Sequence, residues 1–179
     1  RSEVGNKITL RVDANMGWPS AKEAVRHIKE ISVFDLELVE QPLRPDDVEG
    51  LRFVRERVDL PIMADESIWT PHDAMHCIRH QAVDVFNVYV SEAGGLGSAA
   101  RIFAIAEAAR LPCIIGSMPE LGIGTAAQAH LAFAMPNLGY ASDVNGCVYH
   151  SGDVINEKLP IEDGYMLLPS GPGLGVSLD

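Results

Sequence analysis

The sequence has no basic cluster: 14 Lys and Arg stand against 25 Asp and Glu, for a net charge of −11. Nothing in it can neutralise a run of phosphates, so nucleic acid is not an expected partner. Nor does it hold the roughly 18 to 20 uninterrupted apolar residues of a bilayer span, and no membrane association is expected. Cysteine is scarce, with Cys77, Cys113 and Cys147 odd in number and far apart, which fits reduced thiols better than a disulfide or metal framework. Low-complexity tracts are absent. The start, Arg1 to Gly5, has neither a signal-peptide core nor an initiator Met, so the chain is expected to be cytoplasmic and a piece of something longer.

What is present is 179 residues with 47% hydrophobic content, enough for one substantial core. The excess acid suits a divalent cation or a cationic substrate, or else a solvated acidic surface.

Three apolar runs each end in an acid. Ile8 to Val12 ends at Asp13, Phe34 to Val39 at Glu40, and Leu60 to Ala64 at Asp65. Asp13 and Glu40 lie 27 residues apart and Glu40 and Asp65 lie 25 apart, about what one strand, one helix and two short loops consume. Helices are expected between the runs: one capped by Ser20 with Glu23 three residues on, one opened by Pro45-Asp46-Asp47, and one over Pro71 to His80 with Pro first. Further strands follow at Ala82 to Val90, Leu111 to Ile115 and Leu138 to Ser142, separated by helices over Ser98 to Arg110 and Thr125 to Met135. The run Gly94-Gly95-Leu96-Gly97 matches neither the P-loop nor the dinucleotide fingerprint and reads as a tight turn.

Repeated βα units wind a parallel sheet into a barrel or across an open sheet, and near-equal periods favour the barrel. Six such units are present where eight close a ring. The expected fold is therefore α/β, a partial TIM-type (β/α) barrel over residues 1–147, with an extended tail over 148–179. In either architecture all three acids fall at the carboxyl edge, where sites are built. Two carboxylates about 4 Å apart repel by roughly 4 kcal/mol at an effective dielectric of 20, so three together call for a proton or a cation. Oxygen-only ligands suit a hard ion, and Mg²⁺ is the natural candidate. Strand-end carboxylates could also serve a metal-free glycosidase.

Arg11-Val12-Asp13-Ala14-Asn15, Val39-Glu40-Gln41-Pro42 and Ala64-Asp65-Glu66-Ser67 resemble the third-, fourth- and fifth-strand motifs of the mandelate racemase and muconate lactonizing enzyme family, within the enolase superfamily. Ile115-Gly116-Ser117-Met118 followed by Glu120 is similar to its seventh-strand segment, and Asp143 to its eighth-strand acid. The resemblance covers essentially the whole chain. It implies Asp13, Glu40 and Asp65 as Mg²⁺ ligands with Glu66 beside them, and Asn15, Ser117 and Met118 as substrate contacts; Trp18, in the loop just past Asp13, is placed near the mouth of the site by position alone and joins them as a candidate contact. It implies Glu120 and Asp143 as catalytic candidates, with Tyr89 at the position of a family base, and abstraction of the α-proton of a small carboxylate substrate by a lyase (dehydratase) or an isomerase.

Two departures qualify that activity. Tyr89 stands where the subgroup carries a sixth-strand lysine, about 24 residues after the third acid; a tyrosine is a poor base at neutral pH but a good donor, unless it is simply a packed aromatic. No histidine replaces it, since His27, His72, His76, His80, His130 and His150 fall on helices or the tail. The capping domain and first two strands, with a Lys-x-Lys base motif, would lie before Arg1. A chain supplying that half, or a homo-oligomer, is the expected partner. The alternative is a catalytically degenerate homologue or split fragment with a structural role.

Overall fold

The structure is a computed structural model describing residues 1–179. Five parallel strands pair in sequence order: β1 (Leu10–Asp13), β2 (Leu36–Glu40), β3 (Ile62–Ala64), β4 (Val85–Val88) and β5 (Cys113–Ile115). Helices α1 (Ala21–Ile31), α2 (Val48–Arg55), α3 (Pro71–His80), α4 (Leu96–Ala108) and α5 (Gly122–Ala134) follow each strand in turn. This is the α/β partial barrel that the sequence spacing leads one to expect. Residues cluster into two compact units, Arg1–Phe86 and Asn87–Asp179.

In the first unit each helix begins where a side chain satisfies its free N–H groups. The Ser20 hydroxyl accepts from the Glu23 N–H (3.3 Å). Asp47 accepts from the Gly50 N–H (2.9 Å), which places the α2 cap at the last of the three residues named as its start. Thr70 and Asp73 form a reciprocal capping box around Pro71. At the opposite edge from the strand-end acids, Asp84 ties three elements: one oxygen takes the Arg55 Nε (2.6 Å), the other the Ile62 N–H (3.0 Å). Leu38, Val39, Leu51, Val54, Ile62 and Met63 are wholly buried and form the packed layers of this unit.

The second strand begins later than its apolar run. Ser32–Phe34 form a turn of 3₁₀ helix, and Asp35 takes a left-handed conformation (φ 56°) before Leu36. Val33 and Phe34 are 78% and 48% exposed, so they belong to the loop and not to the core.

In the second unit, Leu138 to Ser142 is not a regular strand. Leu138 makes a single parallel bridge to Cys113, and the Gly139 and Asp143 N–H groups reach the Cys113 and Ile115 carbonyls (3.1 and 2.8 Å). Between them the Ser142 hydroxyl replaces a backbone carbonyl as acceptor for the Ile115 N–H (3.0 Å). With that one bridge in place of a paired strand, the sixth period is present as an irregular edge.

The tail has short structure of its own. Strands β6 (Ile161–Glu162) and β7 (Tyr165–Met166) form a hairpin whose Asp163-Gly164 turn has φ of 50° and 83°, the positive pair a two-residue hairpin favours. Ile155 and Leu159 pack with Ala126 of α5, covered by Cys147, Met166, Leu174 and Val176. Asp153 receives the Gly122 N–H at 2.9 Å on both oxygens, capping α5 from the tail because its N-cap Leu121 has no side chain to do so.

Candidate active site

Register decides which way the first unit's acids face. Asp13 is the Cα partner of Glu40, and Glu40 of Met63; partnered residues in a ladder share a face, and Asp65 stands one residue past the end of β3, in the bend that follows it. All three stand at or just past the carboxyl ends of their strands. The loop after β1 stays zipped to the next strand: the Ala14, Met16 and Trp18 N–H groups donate to the Glu40, Gln41 and Pro42 carbonyls at 3.0, 2.8 and 3.3 Å. Asn15 and Met16 both have positive φ, 43° and 60°, and the resulting hook lets Asn15 donate to both Asp13 oxygens, from its backbone N–H (2.8 Å) and its side-chain amide. Trp18 stacks on His27 of α1, ring centroids 5.6 Å apart, and lines a groove of about 520 Å³ with Leu43, Arg44 and Asp47.

Gln41 was quoted in the Glu40 motif but given no role by the sequence. It is fully buried with φ 31°, and its side chain braces the loop that carries Asp65. Its Oε1 accepts the Asp65 N–H (2.8 Å), and its Nε2 donates to the Leu43 carbonyl and the Ser67 hydroxyl, both at 2.8 Å. A polar residue between a strand-end acid and a proline was the available signal.

Glu66 lies beside these groups. Its Oε2 is buried with no hydrogen-bond partner, and burial pushes its carboxyl pKa up, with the Asp13 charge adding to the rise and a backbone hydrogen bond opposing it. An orphaned carboxylate oxygen facing more negative charge is an environment that a cation would relieve. Carboxylate-only donors fit Mg²⁺ in chemistry. No group of three or more His, Cys, Asp or Glu side chains is gathered closely enough to enclose a metal ion.

In the second unit Tyr89 follows β4 directly. Its ring occupies the space over Gly116, where a Cβ would fall onto the ring, and its hydroxyl receives the Asn87 amide (3.4 Å). Glu120 is held at both oxygens, by the hydroxyls of Ser91 (3.2 Å) and Ser117 (2.7 Å). Its carbonyl accepts the Thr125 hydroxyl (3.1 Å), and Gly146 packs against its backbone where no Cβ would fit. Burial raises the Asp143 carboxyl pKa, and the Glu120 charge raises it further. Met118 is 53% exposed and the Ser117 hydroxyl is committed to Glu120 and the Met118 carbonyl. Sequence reading missed Ser91 and Asp153, because a long-range hydroxyl or cap contact leaves no local period. A cavity of about 600 Å³ lies along the tail and one of about 340 Å³ lies between α5, residues 138–145 and the tail hairpin; neither is lined by a candidate site acid.

Over residues 1–179 the sequence matches the model of the enolase C-terminal domain-like family. The chain belongs to that family. It is 38% identical over 178 residues to the L-Ala-D/L-Glu epimerase of Bacillus subtilis, covering 98% of this chain and 48% of the relative. It is 36% identical over 173 residues to muconate cycloisomerase 1 of Rhodococcus opacus, covering 97% and 46%. The solved dipeptide epimerase of Enterococcus faecalis V583, complexed with Mg and the dipeptide L-Leu-L-Tyr, superposes with a TM-score of 0.93 at 37% identity, covering 99% of this chain and 50% of that one. The chain thus spans about half the length of the curated relatives it matches. Those relatives are isomerases, and the family and partial-barrel assignments agree with the motif resemblance.

Proposed function

We propose that this chain is the metal-binding part of an Mg²⁺-dependent isomerase, cytoplasmic and of cycloisomerase or epimerase type, that removes the α-proton of a small carboxylate substrate. The observation that carries the reading is the alignment of Asp13 with Glu40, with Asp65 just past the end of the next strand, at the carboxyl edge of parallel strands. Asp13, Glu40 and Asp65 would hold the ion, with Glu66 beside them. When bound, Mg²⁺ polarises the substrate carboxylate and offsets the charge left when the α-proton departs.

The chain's own residues supply orientation and proton control. Asn15 fixes the Asp13 carboxylate and Gln41 fixes the backbone that presents Asp65. Tyr89 Oη, partnered by Asn87, acts as a donor of a proton or hydrogen bond. Such a group favours chemistry with one base over a two-base racemisation, and that base would come from the half of the relatives this chain does not span, carried by the same or a second polypeptide or by a homo-oligomer. Glu120, oriented by two hydroxyls, and Asp143 would together take a cationic or protonated part of the substrate. Trp18, Ser117 and Met118 are the proposed substrate contacts. A dehydratase would use the same enolate; the isomerase relatives favour the isomerase. Neither nucleic acid nor a membrane enters this reading; no helix is long and apolar enough to cross a bilayer.

A second reading, a degenerate homologue kept as a structural module, draws on one observation: the Tyr89 ring packs against Gly116, in the space a Cβ there would fill. Incubating the chain, with the missing half supplied, in D₂O with an L-Ala-L-Glu dipeptide or muconolactone separates the two. Mg²⁺-dependent deuterium uptake at the α-carbon supports the enzyme, and its absence in both substrates supports the module.

A further inference from the structure

Helix α3 carries three histidines spaced by four residues, His72, His76 and His80, and the helix repeat sets residues so spaced in one stripe. None of them belongs to the candidate active site. His72 and His76 are exposed and His80 is half-buried. The rings of His76 and His80 stand with centroids 4.4 Å apart, tilted by 60°.

A backbone contact fixes one tautomer. His80 Nδ1 lies 3.0 Å from the His76 carbonyl oxygen. A carbonyl only accepts, so in the neutral ring Nδ1 carries the hydrogen and Nε2 keeps its lone pair. This is the arrangement of a metal-ligating histidine, one ring nitrogen donating to the protein and the other free to coordinate.

The nearby acid and thiol are otherwise engaged. Asp73 Oδ2 accepts the Thr70 N–H (2.9 Å) and hydroxyl (2.7 Å) in the capping box, which ties that side chain to the start of the helix. The Cys77 thiol is buried under the helix, and that burial pushes its pKa up to about 12. The donors whose rings stand together are two imidazoles, with water filling the remaining positions. Imidazole nitrogen selects first-row transition metals in the order that peaks at copper, and it is a poor donor to Mg²⁺. Two histidines at i and i+4 are the helical half of zinc sites that other folds complete with a third ligand.

We propose that His76 and His80 form a surface chelate for a divalent transition-metal ion of the Ni²⁺, Cu²⁺ or Zn²⁺ class, separate from the strand-end acids and indifferent to Mg²⁺. A chain of net charge −11 draws cations to its surface, which raises their local concentration at such a site.

The test is titration with Ni²⁺ alone of the full chain carrying Asp13→Asn and Asp65→Asn, so that the strand-end acids do not take the ion, followed by calorimetry and by paramagnetic broadening of the histidine ring protons. The expected result is one ion per chain, broadening centred on His76 and His80, and affinity weakened roughly tenfold or more by His76→Gln and by His80→Gln. His72→Gln and His150→Gln leave the affinity unchanged, and millimolar Mg²⁺ does not displace Ni²⁺. Glutamine is a good helix former at these positions, and circular dichroism of each variant confirms that the helix is kept. Unchanged affinity in His76→Gln or His80→Gln overturns the proposal, as does an equal loss in His72→Gln or displacement by Mg²⁺. With Asp13 and Asp65 substituted in every protein compared, the chelate is read apart from the strand-end acids, and it and the Mg²⁺ reading fail independently.

Discussion

Gln41 is where a single side chain does most to shape the candidate site. It is fully buried, and its Oε1 takes the backbone N–H of Asp65. Gln41→Leu keeps much of the volume but leaves the Asp65 N–H and the Ser67 hydroxyl without their partner. A buried donor left unsatisfied costs about 1 to 3 kcal/mol, so chemical denaturation is expected to show a loss of roughly 2 to 4 kcal/mol. A loss under about 0.5 kcal/mol would mean that the brace does not hold the loop.

Asp143 gives a pH dependence of definite sign. Its folded-state pKa is raised, by burial first and by the Glu120 charge second. The folded chain therefore binds the proton more tightly than the unfolded chain does. Stability is highest below the ordinary aspartate value of about 4 and falls as pH rises through the raised value. Asp143→Asn removes the titration. The variant is expected to gain on the wild type as pH goes from 3 to 7, and to show no advantage at the acid end; urea midpoints across that range measure it. The gain is small, because Asp143 keeps solvent contact. A variant that loses stability at neutral pH relative to acid would reverse the sign.

Among elements, the helix starts were the most legible part of the sequence. Thr70-Pro71 announced α3, and the capping box is there. Thr70→Ala removes the acceptor for the Asp73 N–H (3.2 Å) and is expected to lower stability by about 1 kcal/mol, read from the shift in thermal midpoint. The strands were legible in order and carboxyl end, because apolar runs that stop at an acid mark where burial stops. Their starts were less so. Val33 and Phe34 look like the beginning of β2 by composition, yet the chain turns at Asp35, and the two face solvent. Apolar content cannot distinguish a strand residue from an exposed turn. The irregular sixth period escaped for a related reason, since the Ser142 hydroxyl takes over a ladder bond that only the folded chain displays. The cap that Asp153 provides for α5 joins residues 31 apart, a separation no window of periodicity covers. Asp153→Ala should therefore cost α5 about 1 kcal/mol and raise amide exchange at Gly122, while leaving the first unit's amides as they were.

For the molecule as a whole, the βα period carried the argument from spacing to fold class, and the strand-end acids carried it from fold class to family. Substrate choice was not legible in the same way: the relatives act on dipeptides in some cases and on muconates in others by their names, and this chain spans about half of their length. What it does contain is the strand edge with Asp13, Glu40 and Asp65. The most direct measurement of the central claim is Mg²⁺ titration calorimetry of the intact chain beside Asp13→Asn, Glu40→Gln and Asp65→Asn. The account predicts one saturable Mg²⁺ site in the wild type that each substitution weakens by at least about tenfold, close to 1.4 kcal/mol; equal Mg²⁺ affinity in all four proteins would contradict it.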